Sequence, residues 1–325
     1  MTKYNIPLNI DRAVIEVNGG CNYTCNMCPQ TEGRGQDWLR KTTLKDFERI
    51  VAECAEHGLR IVNLEGSGEP TLNRNLPDYI SIVRKYGAEP YIYTNGFKLA
   101  GDFMRRCVDA GLALARFSII GYNRLQYLNW MQADNFKTVR DNALAMQNYI
   151  AQINANCIVA SYHLILDETK QKFEVQQYQK NFIDIVGSEA SIWKMHNWSG
   201  VYDPNYKRSG NRRSCGRPFA PELTVRAGGV AGTKLSVAPC CQTLGRDSEA
   251  DLGSLQNQTL EQVWNGDRYS WLRQMHAEHR FDEIPFCRDC DFLYDDHEVL
   301  VWSNSADIQL NKLRGTKFNL EQYIL

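Results

Sequence analysis

The chain has 325 residues, 43% of them hydrophobic, which is enough for one large domain with an appendage or for two domains sharing a substantial core. Its 37 basic and 38 acidic residues leave a net charge of −1, which excludes a global field drawing it to nucleic acid or anionic membrane. No segment approaches the roughly 20 apolar residues that cross a bilayer, and the opening MTKYNIPLNIDR lacks a signal peptide's apolar stretch, so a cytoplasmic protein with no membrane association is expected.

Along the chain, strand-like runs AVIEVNG (13–19), IVNLEG (61–66), EPYIYTNG (89–96), LARFSIIG (114–121), NCIVASYHLIL (156–166) and ASIWKMHNW (190–198) alternate with amphipathic helical stretches. The helical stretches lie near 43–57, 74–86, 98–110, 135–152 and 170–186. The first has a Thr at its N-cap and Leu44, Phe47, Ile50, Val51 and Cys54 on one face. Six strands alternating with helices predict an α/β fold with a parallel sheet and right-handed crossovers. Six units are too few for the eight-fold barrel, so a partial, open (β/α)6 TIM-like barrel is expected over residues 1–205. Chemistry then collects at the carboxyl ends of the strands.

After residue 200 the character changes. VYDPNYKRSGNRRSCGRP is polar and loop-like; a hairpin pattern (ELTVRAGGVAGTKLSVAP), one helix (259–279) and a cysteine-containing turn follow. This predicts a small second domain over 206–298, thin enough in core to need a staple, and a tail over 299–325. The basic residues Lys207, Arg208, Arg212, Arg213 and Arg217 are read as a solvated linker, with contact to a phosphate or nucleotide-sugar as the alternative. They lack the interleaved aromatics of a nucleic-acid platform, so nucleic acid is not an expected partner.

Eleven cysteines, an odd number without an export signal, favour metal binding over a disulfide scaffold. Cys54, Cys107 and Cys157 sit in helix or strand patterns and read as small buried hydrophobes. The other eight form two groups. Cys21, Cys25 and Cys28 occupy the loop after the first strand, at the chemically active end of the sheet. A structural zinc site wants four closed ligands, and no fourth Cys or His stands near in sequence. A [4Fe–4S] cluster takes one thiolate per iron, so three thiolates leave one iron with an open position.

Cys-x3-Cys-x2-Cys after a first β-strand resembles the signature of the radical S-adenosylmethionine (SAM) superfamily, and the resemblance extends over most of the first 200 residues. In that family the amino and carboxylate groups of SAM chelate the open iron. Reductive cleavage of SAM then gives methionine and a 5′-deoxyadenosyl radical that abstracts a substrate hydrogen. The resemblance implies an external one-electron reductant of flavodoxin or ferredoxin type. It also implies that Ser67-Gly68-Glu69 in GSGEP bind the SAM amino group, with Ser in place of the family's first glycine. Thr94 and Asn95 in YTNG and Ser118 in FSIIG stand where ribose or methionine would lie. Met27 replaces the aromatic that usually precedes the third cysteine, leaving an adenine contact to backbone.

Cys215, Cys240, Cys241, Cys287 and Cys290 form the second group, in which a zinc ribbon competes with an iron–sulfur cluster on spacing alone. The order hairpin, APCC, DLGSLQNQTLEQVWNGDRYSWLRQM, CRDC resembles the SPASM/twitch extension of radical SAM cores. No cysteine follows Cys290, so the resemblance implies one auxiliary [4Fe–4S] cluster, on Cys215, Cys240, Cys287 and Cys290. Cys241 is then either a spare or substitute ligand or a hydrogen-atom donor.

In layout the chain is similar to twitch-bearing deoxy-scyllo-inosamine dehydrogenase, which implies an oxidoreductase, a dehydrogenase or epimerase, acting on a small hydroxylated, carbohydrate-like substrate. Radical modification of a peptide or protein is the alternative, and a non-catalytic iron–sulfur scaffold the alternative of another class. His196, sharing a face with Trp198, is a candidate proton acceptor; Tyr162 and His163 face opposite ways, so one of them lines the interior; Asp167 and Glu168 are further candidates for the base.

Overall fold

A computed structural model describes residues 4–29, 40–203, 210–227, 235–243, 249–294 and 300–305. Strands β1 (Arg12–Ile15), β2 (Ile61–Asn63), β3 (Glu89–Thr94), β4 (Leu114–Ser118), β5 (Ile158–Ile165) and β6 (Glu189–Lys194) lie side by side in chain order, all parallel. Between them run α1 (Leu44–Ala55), α2 (Leu76–Lys85), α3 (Gly101–Asp109), α4 (Arg124–Met131), α5 (Phe136–Ile153) and α6 (Gln171–Tyr178). The last continues through a π turn (Gln179–Ile183) into α7 (Asp184–Val186). This is the expected partial (β/α)6 barrel.

Local sequence explains the elements. Thr43 caps α1 by accepting from the Asp46 amide, and Phe47, Ile50, Val51 and Cys54 are its buried face. In β3 and β4 the period-2 alternation separates two faces. Ile92, Ala115 and Phe117 are fully buried in the apolar core, while Tyr93, Arg116 and Ser118 line a central cavity. The barrel interior is therefore polar rather than packed with aliphatic side chains.

Two helical expectations need correction. The segment read as one helix over 259–279 is two, α8 (Leu260–Trp264) and α9 (Asp267–Ala277), parted at Asn265-Gly266 after a capping box at Thr259 and Gln262. Helix α4 was not expected at all. RLQYLNWM has no apolar stripe: only Tyr127 and Met131 are buried, and Leu125 and Leu128 are exposed.

The sheet does not stop at the barrel. Strand β7 (Glu222–Arg226) pairs in parallel with β1, β8 (Ser236–Ala238) pairs antiparallel with β7, and β9 (Leu300–Ser303) pairs antiparallel with β6. The order is β8-β7-β1-β2-β3-β4-β5-β6-β9. The expected hairpin is present, but it extends the barrel's own sheet, and the stretch expected to open a tail begins with a strand. Residues 306–325 of that tail lie outside the described residues. One apolar cluster runs from the barrel through β7 and β8 to Leu260, Val263 and Trp264 on α8, which are buried. Each large apolar side chain so buried contributes about 1.5–3 kcal/mol. No helix among the described residues is long and apolar enough to cross a membrane.

Candidate active site

The cysteine loop hangs from the end of β1 and is braced by α4. The Asn26 amide donates to the Trp130 carbonyl (2.9 Å), the Tyr23 hydroxyl lies 3.3 Å from that of Tyr127, and Asn135 donates to it (3.0 Å). Cys25 Sγ lies 3.8 Å from Met131 Sδ. Cys21, Cys25 and Cys28 are half-buried and line the cavity together with buried Met27.

The GSGEP and YTNG strand ends meet this loop in one hydrogen-bonded patch. The Glu69 amide donates to the Gly20 carbonyl (2.8 Å), and Asn18 Nδ2 bridges the carbonyls of Gly20 (2.7 Å) and Glu69 (3.2 Å). A Cβ at Gly68 would fall on the backbone of Asn18, Gly19 and Gly20, so only glycine permits this approach. The buried Glu69 carboxylate accepts from Thr71 N (3.0 Å), Thr71 Oγ1 (2.6 Å), Thr94 Oγ1 (2.6 Å) and Asn95 N (2.7 Å). Burial still raises its pKa, against those bonds. Asn95 Nδ2 donates to Asn22 Oδ1 (2.9 Å) inside the cysteine loop. Ser67 is engaged from beneath: its amide and hydroxyl both donate to Glu16 Oε1, and Arg40 reaches its Oγ (2.7 Å). The expected SAM-contact residues Ser67, Gly68, Glu69, Asn95 and Ser118 thus all line one cavity with the cysteines. The carboxylate of Glu69 and the hydroxyl of Ser67 are, however, spent on holding the patch together, leaving main-chain carbonyls to meet a cation.

The cavity encloses about 1010 Å³, at the upper end of the roughly 300–1,000 Å³ that a single small ligand occupies. Beyond the SAM-motif patch its wall carries groups that sequence reading missed. Glu65, just past β2, lines it; burial pushes its carboxyl up to about 7, opposed by the nearby Arg116 charge and by the Asn63 hydrogen bond (3.2 Å). Arg217, assigned to a solvated linker, in fact lines the cavity, 3.5 Å from Glu222 and 3.6 Å from Cys241 Sγ. Arg212 is half-exposed and pairs with the exposed Asp282 (2.6 Å); Lys207 and Arg208 lie outside the described residues. Tyr162 faces the cavity, whereas His163 is fully buried on the other face, stacked on Tyr178 and 3.4 Å from Glu174. Asp167 and Glu168 do not line it: Asp167 caps a short turn at Thr169, and Glu168 pairs with Lys194 (3.1 Å). His196 and Trp198 both reach it, but past the end of β6, where Trp198 and Ser199 take positive φ, rather than by strand alternation. Their rings meet edge to face at 4.3 Å, and the Phe292 ring lies 5.8 Å from that of His196.

The later cysteines separate into four and one. Cys215, Cys290 and Cys287 pack with Phe281, Phe292 and Leu293 in a second apolar cluster. Burial, then the neighbouring Cys290, Cys215 and Cys240, push the Cys287 thiol well above its ordinary value; Cys290 is raised by burial, Asp291, Cys215 and Cys240. Cys240 is near enough to both for its charge to be felt, and it is not among the residues lining the central cavity. Cys241, its neighbour in sequence, lines the central cavity instead, where burial pushes it up to about 11 against Arg217. Ser214 Oγ, beside Cys215, lies 2.9 Å from His276 Nδ1 and accepts from the Gly216 amide (3.1 Å), fixing the first of the four.

Among the described residues no three Cys, His, Asp or Glu side chains converge on a point where a single metal ion could sit. Grouped thiols are the donor set of an iron–sulfur cluster, in which each thiolate binds its own iron. Residues 15–175 match the family described as the Radical SAM superfamily, and residues 232–291 match the SPASM iron–sulfur cluster-binding domain. The chain belongs to the radical SAM superfamily. SAM and a [4Fe–4S] cluster are accordingly its cofactors, with auxiliary iron–sulfur binding in the SPASM segment.

Among relatives, a GTP 3′,8-cyclase of Pectobacterium atrosepticum is 27% identical over 199 residues, 57% of this chain and 59% of that protein. The chain therefore aligns with well under two thirds of that cyclase. A tungsten-containing aldehyde ferredoxin oxidoreductase cofactor-modifying protein of Pyrococcus furiosus is 22% identical over 318 residues, 85% of this chain and 86% of the other. In fold, this radical SAM protein is similar to BtrN in complex with AdoMet and 2-DOIA (TM-score 0.54, 20% identity, 86% of this chain and 92% of that one). It is also similar to Streptococcus suis SuiB bound to precursor peptide SuiA (TM-score 0.64, 14% identity, 89% and 72%).

Proposed function

We propose that the cavity is the active site of a radical SAM oxidoreductase that dehydrogenates a hydroxyl group of a small polar, carbohydrate-like molecule. One observation carries this reading: Glu65 and Cys241 face the same cavity as Cys21, Cys25 and Cys28, while Cys215, Cys287 and Cys290 pack together away from its lining, near enough to Cys240 to feel its charge. On it, residues 1–205 form the SAM-binding core and 206–298 the auxiliary domain. Cys21, Cys25 and Cys28 would hold a [4Fe–4S] cluster that with SAM would supply the chemistry for abstracting a carbinol hydrogen, and Cys215, Cys240, Cys287 and Cys290 would hold an auxiliary [4Fe–4S] cluster able to take up the remaining electron. Glu65 takes the hydroxyl proton; a carboxyl pushed up to about 7 is matched to that task near neutral pH. Hydrogen atom, proton and electron removed, the alcohol becomes a carbonyl. Trp193 and Trp198 offer flat walls to a ring, and His196, in ring contact with Trp198 and Phe292, is the second candidate for the proton. An external flavodoxin- or ferredoxin-type reductant supplies the first electron.

Modification of a peptide is the second reading, supported by the fold likeness to SuiB, whose structure holds a precursor peptide; there Cys241 would return a hydrogen atom to a substrate radical. Anaerobic reconstitution with SAM and dithionite tests both against a non-catalytic scaffold. 5′-Deoxyadenosine above the protein-free background is expected, with carbonyl product equal to it once the substrate is supplied. Its absence from protein holding its full iron would end the enzymatic reading.

A further inference from the structure

Arg116 sits on β4 with its side chain in the cavity, directly across from Tyr93 on β3 and two residues before Ser118. Its guanidinium carbon lies 3.5 Å from the centre of the Tyr93 ring and 4.6 Å from that of Tyr162. No hydrogen bond or ion pair to it is formed among the described residues, and its Nε is buried without a partner. The other arginines on this cavity are engaged: Arg12 with Asn63 (3.4 Å), Arg60 with Asp11, Arg217 with Glu222 (3.5 Å) and Arg226 with Thr243 (2.7 Å). Glu65 is close enough for its charge to be felt but is hydrogen-bonded by Asn63 instead.

Ring faces attract a guanidinium but accept none of its in-plane N–H bonds, so stacking fixes the plane and leaves the fork of donors unused. A planar, preoriented fork without an acceptor is matched by two oxygens of one anion, a carboxylate or a phosphate. We propose that Arg116 is the receptor for an anionic group on the substrate, so that the hydroxyl-bearing molecule is also an acid or a phosphate ester. This rests on the reading of the cavity as a substrate site. SAM's own carboxylate is not the intended partner, because Arg116 lies about 6.6 Å further along β4 from the cysteine end than Ser118.

The test uses the anaerobically reconstituted protein with SAM bound. Inorganic phosphate and acetate are titrated in separate arms, with binding read from tryptophan fluorescence, since Trp193 lies 6.1 Å from the Tyr162 ring. Saturable binding of one or both is expected, and the tighter arm names the group. Affinity should fall at least tenfold in Arg116→Gln, fall less in Arg116→Lys, which keeps charge without the fork, and stay unchanged in Arg60→Gln. Equal binding by wild type and both Arg116 variants, or no saturable binding by wild type, would overturn the assignment. So would lost SAM affinity in Arg116→Gln with anion binding intact. 5′-Deoxyadenosine is measured in the same preparations: if wild type forms none, the enzymatic reading fails, whereas formation together with Arg116-independent anion binding removes this inference alone.

Discussion

The two cysteine sets are built in opposite ways. Cys21, Cys25 and Cys28 are half-buried on a loop that faces the cavity, and the polar network around them comes from three strand ends and α4. Cys215 and Cys290 are buried, and with Cys287 they pack against Phe281, Phe292 and Leu293. The first arrangement leaves a corner for a ligand from solution; the second surrounds its thiols with apolar rings. Under the proposed function the first set is the reactive centre at the cavity and the second lies off its lining, with Cys241 and Arg217 together on the cavity wall. What differs is the surroundings: the first three thiols line the cavity, whereas Cys215, Cys287 and Cys290 do not and pack in an apolar cluster, although Cys287 is as half-buried as the first three.

Removing a ligand from the open set is the harshest challenge to this contrast. Cys28→Ala should lose about four irons per chain and form no measurable 5′-deoxyadenosine; a variant that still cleaved SAM would mean the loop is not the reactive centre. Next, Glu65→Gln should lower the dehydrogenation rate by about 10²–10⁴-fold while SAM cleavage persists. The carboxylate is the base, so the wild-type rate should fall tenfold per unit below a pH of about 7, and the variant should lack that limb. Stability should move the other way. A Glu whose folded pKa is raised stabilises least when ionised, so Glu65→Gln should melt higher than wild type at pH 8, by roughly 1–3 kcal/mol, and gain nothing at pH 4.

Third, Cys240→Ala should lose the auxiliary iron and melt earlier, whereas Cys241→Ala keeps full iron by colorimetric assay. Equal losses in both would erase the four-and-one division. The mildest change is Glu69→Gln, which cannot accept from all four of its donors. Leaving buried donors unmet costs about 1–3 kcal/mol and should weaken SAM binding in calorimetry without altering iron content.

Much of this was readable from local spacing. The cysteine loop, the GSGEP and YTNG strand ends and the six-fold alternation each depend on residues a few positions apart, and all appear where the pattern put them. What escaped depends on juxtaposition across the fold. Alternation in EPYIYT and LARFS reveals two faces but not which one meets the cavity, so Tyr93 and Arg116 passed unnoticed. Glu65 looked like a strand-end acid, and its shifted carboxyl arises only from what surrounds it. Helix α4 is held by a few buried contacts and by the cysteine loop it braces, neither of which leaves an amphipathic signature. Adjacent Cys240 and Cys241 could be expected to diverge; which one turned toward the cavity required the structure.

The pairing of β7 beside β1 has a practical consequence for dissecting the protein. Cutting the chain between residues 203 and 210 would strip the first strand of one of its two neighbours and bare main-chain donors and acceptors along one edge of Arg12–Ile15, a raw margin that invites self-association. Neither half should be soluble by itself, and the two should be recovered together only when co-produced.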